Sequence, residues 1–177
     1  MAIGRTFKEA LQKGVRGLEI GRAGLGGDGL HNYDPTADDA RTELLWHLRN
    51  PNPERIFWVR AALRGRVPGA RGKMEVYGPE AIDGPEEKMS GRSKNALMSV
   101  EEVFEKTAID PWFLEHIREI CDFEHRIAAA GRAKLIHKPG ARCTAAEKSR
   151  EREFLLEAKQ MGFSDNQIAF LASSGRT

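Results

Sequence analysis

Residues 110–130 read DPWFLEHIREICDFEHRIAAA, and this stretch predicts the longest helix of the chain. Asp110 can cap the free N–H groups at a helix start, and Pro111 suits the first helical position. Apolar side chains then recur at helical spacing and form one face that we expect to be buried: Phe113, Ile117, Ile120 and Ile127.

A second apolar line runs along the same predicted helix, through Trp112, His116 and Phe123. A helix that packs on one layer needs only one apolar face, so a second face indicates either a second helix layer or a partner chain. Both explanations stay open from the sequence. We therefore take Trp112, His116 and Phe123 as candidate interface residues.

Six further helices are predicted on either side of this one. Ser/Thr-x-x-Glu patterns beginning at Thr6, Ser99 and Thr144 have the form of capping boxes, which mark helix starts. The predicted helices cover about 7–18, 37–50, 53–64, 100–108, 145–161 and 167–172. Sustained alternation of apolar and polar residues, typical of strands, is absent from the sequence. The predicted fold class is all-α, a compact array of short helices.

Two stretches interrupt the helical pattern, at about 65–97 and 131–146. The first is rich in Gly and Pro and loses apolar periodicity, so we predict an exposed, mobile loop with at most a short strand near 74–77. The second is basic and is also predicted to be a loop.

The composition argues against several classes of protein. The 177 residues carry 28 basic and 26 acidic side chains, a net charge of +2, which gives no strong attraction to nucleic acid or membranes. Two cysteines are too few for a disulfide framework. The first residues lack the apolar core of a signal peptide, and no apolar run has the length of a membrane span. We expect a cytoplasmic protein.

The segment GRAGLGGDG at 21–29 matches G-x-G-x-x-G through Gly24, Gly26 and Gly29. A phosphate loop of this form needs a strand before it and a helix directly after it. Here a predicted helix precedes the glycines and a turn follows them. The pattern therefore favours a helix end at Gly21 followed by a mobile connector over a nucleotide site.

Other candidate sites are weaker. His116, Cys121, His125, His137 and Cys143 could supply zinc ligands, but their spacing is irregular and C-x-x-C is absent, so a buried Cys121 and solvated histidines are favoured. Cys143 lies among basic residues without an identifiable base partner, which favours an exposed loop thiol over a catalytic one.

The basic runs around Arg64–Lys73 and 132–138 could contact RNA or an acidic surface. They lack the interleaved aromatic residues that stack on bases. No catalytic, cofactor-binding or metal-binding residue is assigned from the sequence.

Four stretches together resemble the large subunit of glutamine-hydrolysing carbamoyl-phosphate synthase. FKEALQKGVRGLEIG at 7–21 is similar to the end of its first ATP-grasp half. Three others resemble its helical oligomerisation domain, in the family order: NPERIFWVRAALRG at 52–65, MSVEEVFEKTAIDPWFLEHIREICDFE at 98–124, and LLEAKQMGFSDNQIAFLA at 155–172. The length of the stretch at 98–124 makes this resemblance far more specific than any short motif.

The resemblance implies that residues 1–35 are the tail of the first synthetic half with a connector, and that 36–177 are the helical domain, with insertions at about 65–97 and 131–146. It implies an excised, non-catalytic linker and oligomerisation piece. The parent enzyme would make carbamoyl phosphate from bicarbonate, glutamine-derived ammonia and two molecules of ATP, for arginine and pyrimidine synthesis.

The same resemblance implies no cofactor within this chain, although the parent enzyme would use ATP and magnesium. The implied partners are the flanking ATP-grasp halves, further copies of the chain, and a glutamine amidotransferase small subunit. The alternatives are a nucleotide-binding fragment using the Gly24–Gly29 loop and a basic helical module that binds nucleic acid.

Overall fold

The computed structural model describes residues 1–30, 39–64, 97–137 and 143–174, and every regular element within these ranges is a helix. The helices are α1 (Phe7–Arg16), α2 (Ala40–Arg49), α3 (Arg55–Arg64), α4 (Val100–Thr107), α5 (Pro111–Arg132), α6 (Ala145–Gln160) and α7 (Asp165–Ser174). The predicted all-α fold class is confirmed.

Helix α5 is the centre of the arrangement, and α1, α3, α4 and α7 all pack against it. It starts as the sequence predicts, because the Asp110 side chain accepts a hydrogen bond from the Trp112 N–H at 2.8 Å and Pro111 follows the cap. Its 22 residues span about 33 Å at the rise of an α-helix, enough to contact several neighbours. Ile117, Ile120 and Ile127 are buried as expected.

Helix α3 is buried on almost all sides, since α2, α4 and α5 surround it. The sequence indicates a single stripe through Ile56, Phe57, Arg60, Ala61 and Leu63. The structure also buries other side chains on this short helix, namely Trp58, Val59, Ala62 and Arg64. Helix α3 therefore contributes many of its residues to an apolar core that draws on the chain from Val15 to Ala172.

The contact between α5 and α7 requires a glycine. A Cβ on Gly131 would overlap the Ala172 backbone, so the two helices approach each other backbone to backbone at this point. Helix α5 continues past its predicted end at Ala130, to Arg132, so Gly131 at this contact lies within the helix.

Local capping decides the other helix starts. Ser99 and Thr144 form complete capping boxes with Glu102 and Glu147. At α1 only half of the predicted box exists, because Thr6 accepts from the Glu9 N–H whereas the Glu9 carboxylate accepts from the Arg5 N–H at 2.7 Å. The predicted helix ends are otherwise correct to within about two residues, except that α2 begins at Ala40; α7, from Asp165 to Ser174, is two residues longer at each end than predicted.

The two predicted loops have different outcomes. Residues 65–96, including the possible strand at 74–77, lie outside the described residues. The loop predicted at 131–146 begins later than expected, because α5 continues to Arg132, and α6 begins at Ala145 as its predicted range indicates.

The described residues that flank the 65–96 segment are hydrogen-bonded to each other. The N–H groups of Leu97 and Met98 both donate to the Ala62 carbonyl, at 3.1 and 3.0 Å. The chain therefore leaves α3 and returns beside it at nearly the same point, and the fold on either side is continuous without the segment.

Replacing residues 66–95 by about six Gly and Ser residues is expected to keep the fold. The shorter loop has a smaller closure entropy, so the free energy of unfolding should stay equal or rise by about 1 kcal/mol. Thermal unfolding followed by circular dichroism checks this, with a scrambled 66–95 sequence of equal length as the control. A melting temperature several degrees below the unmodified chain would contradict the prediction.

Candidate functional site

Four aromatic rings from α1 and α5 form a cluster at the surface, here called the aromatic face: Phe7, Trp112, Phe113 and His116. The centroid of the Phe7 ring lies 5.3 Å from those of Trp112 and Phe113 and 5.6 Å from that of His116. Trp112 is 54 % exposed and Phe113 is 42 % exposed. The expected burial of Phe113 is wrong, because this first-turn residue reaches α1 instead of the core.

The geometry of the aromatic face follows from the start of α5. The cap at Asp110 sets the first turn, so Trp112, Phe113 and His116 project together toward α1. At its edge, Lys8 of α1 forms an ion pair with Glu119 of α5, and the His116 Nδ1 lies 3.5 Å from the same carboxylate.

Lys8 stabilises the negative charge of the Glu119 carboxylate at this edge. The hydrogen bond from Lys8 holds the pKa of Glu119 below its ordinary value, although partial burial opposes this shift. Exposed rings with a charged rim match the composition of protein–protein contacts, in which Trp and Phe are enriched at the centre and polar groups at the edge.

Phe123 does not belong to this face. It is 2 % exposed, and its ring lies 5.6 Å from both Phe154 and Phe163. The second apolar line on α5 therefore divides: its later part packs on a second helix layer, and its first part stays exposed. Of the three candidate interface residues, Phe123 is thus buried within the chain itself, whereas an interface at Trp112 and His116 stays a prediction.

The glycine loop, residues 21–29, is closed by the chain's own side chains. Leu25 is fully buried, and its N–H donates to the Gln12 Oε1 at 3.1 Å. A Cβ on Gly24 would overlap the Gln12 and Gln167 amides, and one on Gly26 would overlap the Arg60 guanidinium. The expected mobility of this loop is wrong, because residues 24–27 are buried against other helices. Its role as a connector stays a prediction.

This arrangement does not support a nucleotide site in the loop. The loop follows helix α1, whereas a phosphate loop follows a strand. Side chains also occupy the space beside the glycines where a phosphate group would have to approach the backbone.

The candidate zinc ligands are dispersed. Cys121 is buried as predicted, with its Sγ 3.8 Å from the Arg60 carbonyl, and His125 Nε2 lies 3.0 Å from the Arg64 carbonyl. His137 is bonded to Glu151, and Cys143 is partly exposed. Within the described ranges, no three His, Cys, Asp or Glu side chains are placed to hold one metal ion.

Arg64 does not form part of a basic loop. It is the last residue of α3, it is buried, and its Nε lies 2.6 Å from the Glu124 Oε2. The remaining residues of that basic run lie outside the described residues.

Glu124 is the centre of a buried charge network that the sequence reasoning missed. It is 1 % exposed, and Arg60 Nη2 lies 2.7 Å from its Oε2, with the Arg60 Nε 3.1 Å from its Oε1. Burial alone would raise the pKa of Glu124, but the charges of Arg60 and Arg64 outweigh it and hold this pKa below its ordinary value. The signal was present, because Glu124 falls between Ile120 and Ile127 on the apolar face of α5.

None of the helices in the described part of the chain combines the length and the apolar character that crossing a membrane requires.

The structure thus defines an all-α domain that presents an exposed aromatic face of the kind found at protein contacts. The model of the family described as "Carbamoyl-phosphate synthetase large chain, oligomerisation domain" matches residues 1–69 and 93–177. The chain belongs to this family. The unmatched residues 70–92 fall within the insertion predicted at about 65–97.

The relatives agree with this assignment. The chain is 35 % identical over 172 residues to the carbamoyl phosphate synthase large chain of Archaeoglobus fulgidus, covering 97 % of this chain and 12 % of the relative. It is 37 % identical over 174 residues to the N-terminal section of that large chain in Methanopyrus kandleri, covering 97 % and 23 %. It is also 35 % identical over 170 residues to the large chain of Nostoc sp., and this match covers 96 % of this chain and 11 % of the relative.

The relatives are much longer than this chain. The chain spans about an eighth of the length of the Archaeoglobus large chain. The predicted division into residues 1–35 and 36–177 stays a prediction, although α1 and the glycine loop pack directly on the helices that follow.

Replacing Glu124 by Gln is expected to destabilise the chain strongly. The substitution keeps the side-chain shape but leaves Arg60 and Arg64 buried without a counter-charge, which costs about 3–5 kcal/mol. Urea unfolding measures the loss. The control is Glu115→Gln on the same helix, where the ion pair with Arg118 is more exposed and its removal should cost less than about 1 kcal/mol. Equal effects of the two substitutions would contradict the buried network.

The effect of Glu124→Gln should depend on pH. Because the folded-state pKa of Glu124 is lowered, its contribution is fully present above the unfolded value of about 4.3 and is lost as the pH falls through the folded value. The difference in unfolding free energy between the two chains should therefore narrow from pH 6 to pH 3. A difference that widens on acidification would contradict this sign.

The two thiols should react differently in the native chain. Burial raises the pKa of Cys121 to about 12, so at pH 8 it has almost no thiolate, whereas Cys143 is partly exposed. A thiol-reactive dye should modify Cys143 in the native chain and both cysteines in urea. A Cys143→Ser chain that reacts rapidly without urea would contradict the burial of Cys121.

Proposed function

We propose that this chain is the oligomerisation domain of a carbamoyl phosphate synthase large chain and that copies of it associate through the aromatic face. The observation that carries the proposal is the exposure of Trp112 and Phe113 in a domain whose family is described as an oligomerisation domain. Trp is among the residues that contribute most to binding at protein interfaces.

The arrangement of the face suits a contact between identical copies. Its rings come from two helices that the Lys8–Glu119 ion pair holds together, so the surface is formed before association. A rigid surface loses little conformational entropy on binding. A twofold contact would place the same rings from both copies opposite each other, and a stable one needs about 1,000 Å² of buried surface or more.

The proposed role of the domain in the larger protein is mechanical. The parent would be a cytoplasmic, ATP- and magnesium-dependent ligase that makes carbamoyl phosphate for arginine and pyrimidine synthesis, with ammonia supplied by a glutamine amidotransferase small subunit. This domain would connect the two ATP-grasp halves and supply the self-association surface. The relatives described above are carbamoyl phosphate synthase large chains, which supports the identity of that parent.

Sedimentation equilibrium of the chain over a wide concentration range tests self-association. The expected result is a reversible dimer or larger oligomer whose population rises with concentration. A monomer at the highest concentrations would contradict self-association by this chain.

Trp112→Ala is expected to weaken the association constant by at least about tenfold, because an interface tryptophan commonly contributes 2 kcal/mol or more. The matched control is Trp46→Ala on α2, since Trp46 is 56 % exposed and Trp112 is 54 % exposed. Circular dichroism confirms that both variants are folded. Association lost in Trp46→Ala and retained in Trp112→Ala would place the contact elsewhere.

A further inference from the structure

Two buried glutamines join the glycine loop to the first and last helices. Gln12 of α1 and Gln167 of α7 are both fully buried. The Gln12 Oε1 accepts from the Leu25 N–H at 3.1 Å and from the Gln167 Nε2 at 3.1 Å, and the same Nε2 donates to the Gly26 carbonyl. These side chains and the Leu25–Gly26 backbone are here called the glutamine lock.

Both polar atoms of the buried Gln167 amide have hydrogen-bond partners. Its Oε1 accepts from the Ser164 N–H at 2.9 Å, which caps α7. Its two amide hydrogens serve Gln12 and Gly26. Moving the loop away would leave buried polar groups without partners, which is unfavourable.

A second set of bonds joins the same parts of the chain beside the lock. The Arg16 Nη1 donates to the Gly162 carbonyl at 2.9 Å, and the Ser164 hydroxyl donates to the Ala23 carbonyl at 3.0 Å. Asp28 closes the loop on itself, because its Oδ2 accepts from the Ala23 N–H. The Arg16–Gly162 and Ser164–Ala23 hydrogen bonds join residues more than 140 positions apart in sequence.

We infer that the glutamine lock is a conformational device that holds residues 1–30 and helix α7 in one fixed relation. This inference rests on the proposed function for its purpose, because a domain that connects two halves of a large chain transmits their relative position only if its own first and last segments cannot move independently. The glycine motif then serves to admit the amide and guanidinium groups that close the lock.

The lock can be opened without removing the α7 cap. In Gln167→Glu, a carboxylate oxygen can still accept from Ser164, but the two N–H donors toward Gln12 and Gly26 are lost. The matched control is Gln160→Glu, the same exchange at an exposed position of α6.

A second, independent variant acts from the loop side. In Gly24→Ala, the added Cβ overlaps the Gln12 and Gln167 amides. The control is Gly14→Ala in α1, where the nearest neighbour of the new methyl group is 3.8 Å away. Two variants with different chemistry keep the test decisive if one of them fails to fold.

Hydrogen exchange of the whole chain gives the first measurement. In both lock variants the Leu25 amide should exchange at least about tenfold faster, while the amides of Val59 and Ile120 in the central core keep their protection. Unchanged exchange at Leu25 would overturn the inference. An equal acceleration of all three amides would also overturn it, since the contacts would then contribute only to global stability.

The distance between the two segments gives the second measurement. Spin labels at Leu18→Cys and Ser173→Cys, in a Cys143→Ser chain diluted with an excess of unlabelled chain, should show one narrow distance distribution that broadens in the lock variants. A broad distribution without any lock substitution would overturn the inference directly. Both measurements read the lock within a single copy, so a monomeric chain with a narrow distribution would defeat the proposed self-association alone.

Discussion

The pairing of Arg60 and Arg64 with Glu124 is the constraint on which the rest of the fold depends. The two arginines are one helical turn apart on α3, and both reach the same carboxylate on α5. Charges withdrawn from water are costly unless they are paired, so a slide of one helix along the other by a turn would leave a buried charge unpaired. Apolar packing between α3 and α5 tolerates several registers, whereas this pairing selects one.

With the register of α3 against α5 fixed, the two ends of α5 contact different helices. Its start, beyond the enclosed core, meets α1 and leaves Trp112 and Phe113 exposed. Its end meets α7 at Gly131, where only a glycine permits the approach. Arg60 connects these regions to the glycine loop, because its guanidinium occupies the space that a Cβ on Gly26 would fill. The charge network therefore lies directly against the loop that ties α1 to α7.

Local signals in the sequence predicted each of the described helices, and the contacts that the sequence did not predict are nonlocal. The caps at Ser99, Asp110 and Thr144 act within three residues of themselves, so a sequence pattern is sufficient to place them. The partner of Arg60 lies 64 positions away in sequence and that of Gln12 lies 155 positions away. The spacing of apolar residues along the chain does not predict contacts between such distant positions. Phe123 shows the same limit, since helical spacing placed it on a second face but could not say that α6 covers that face.

The glycine pattern at 24–29 illustrates why a motif needs its flanking structure. A glycine at such a position indicates that another group approaches the backbone more closely than a side chain would permit, but it does not identify that group. In a nucleotide site it is a phosphate group, and the strand and helix around the loop aim backbone N–H groups toward it. Here amide and guanidinium groups of the same chain occupy that space, and a helix stands where the strand would be. The same spacing therefore predicts close packing in both settings, and the preceding element decides whether the packed group is a ligand or the protein itself.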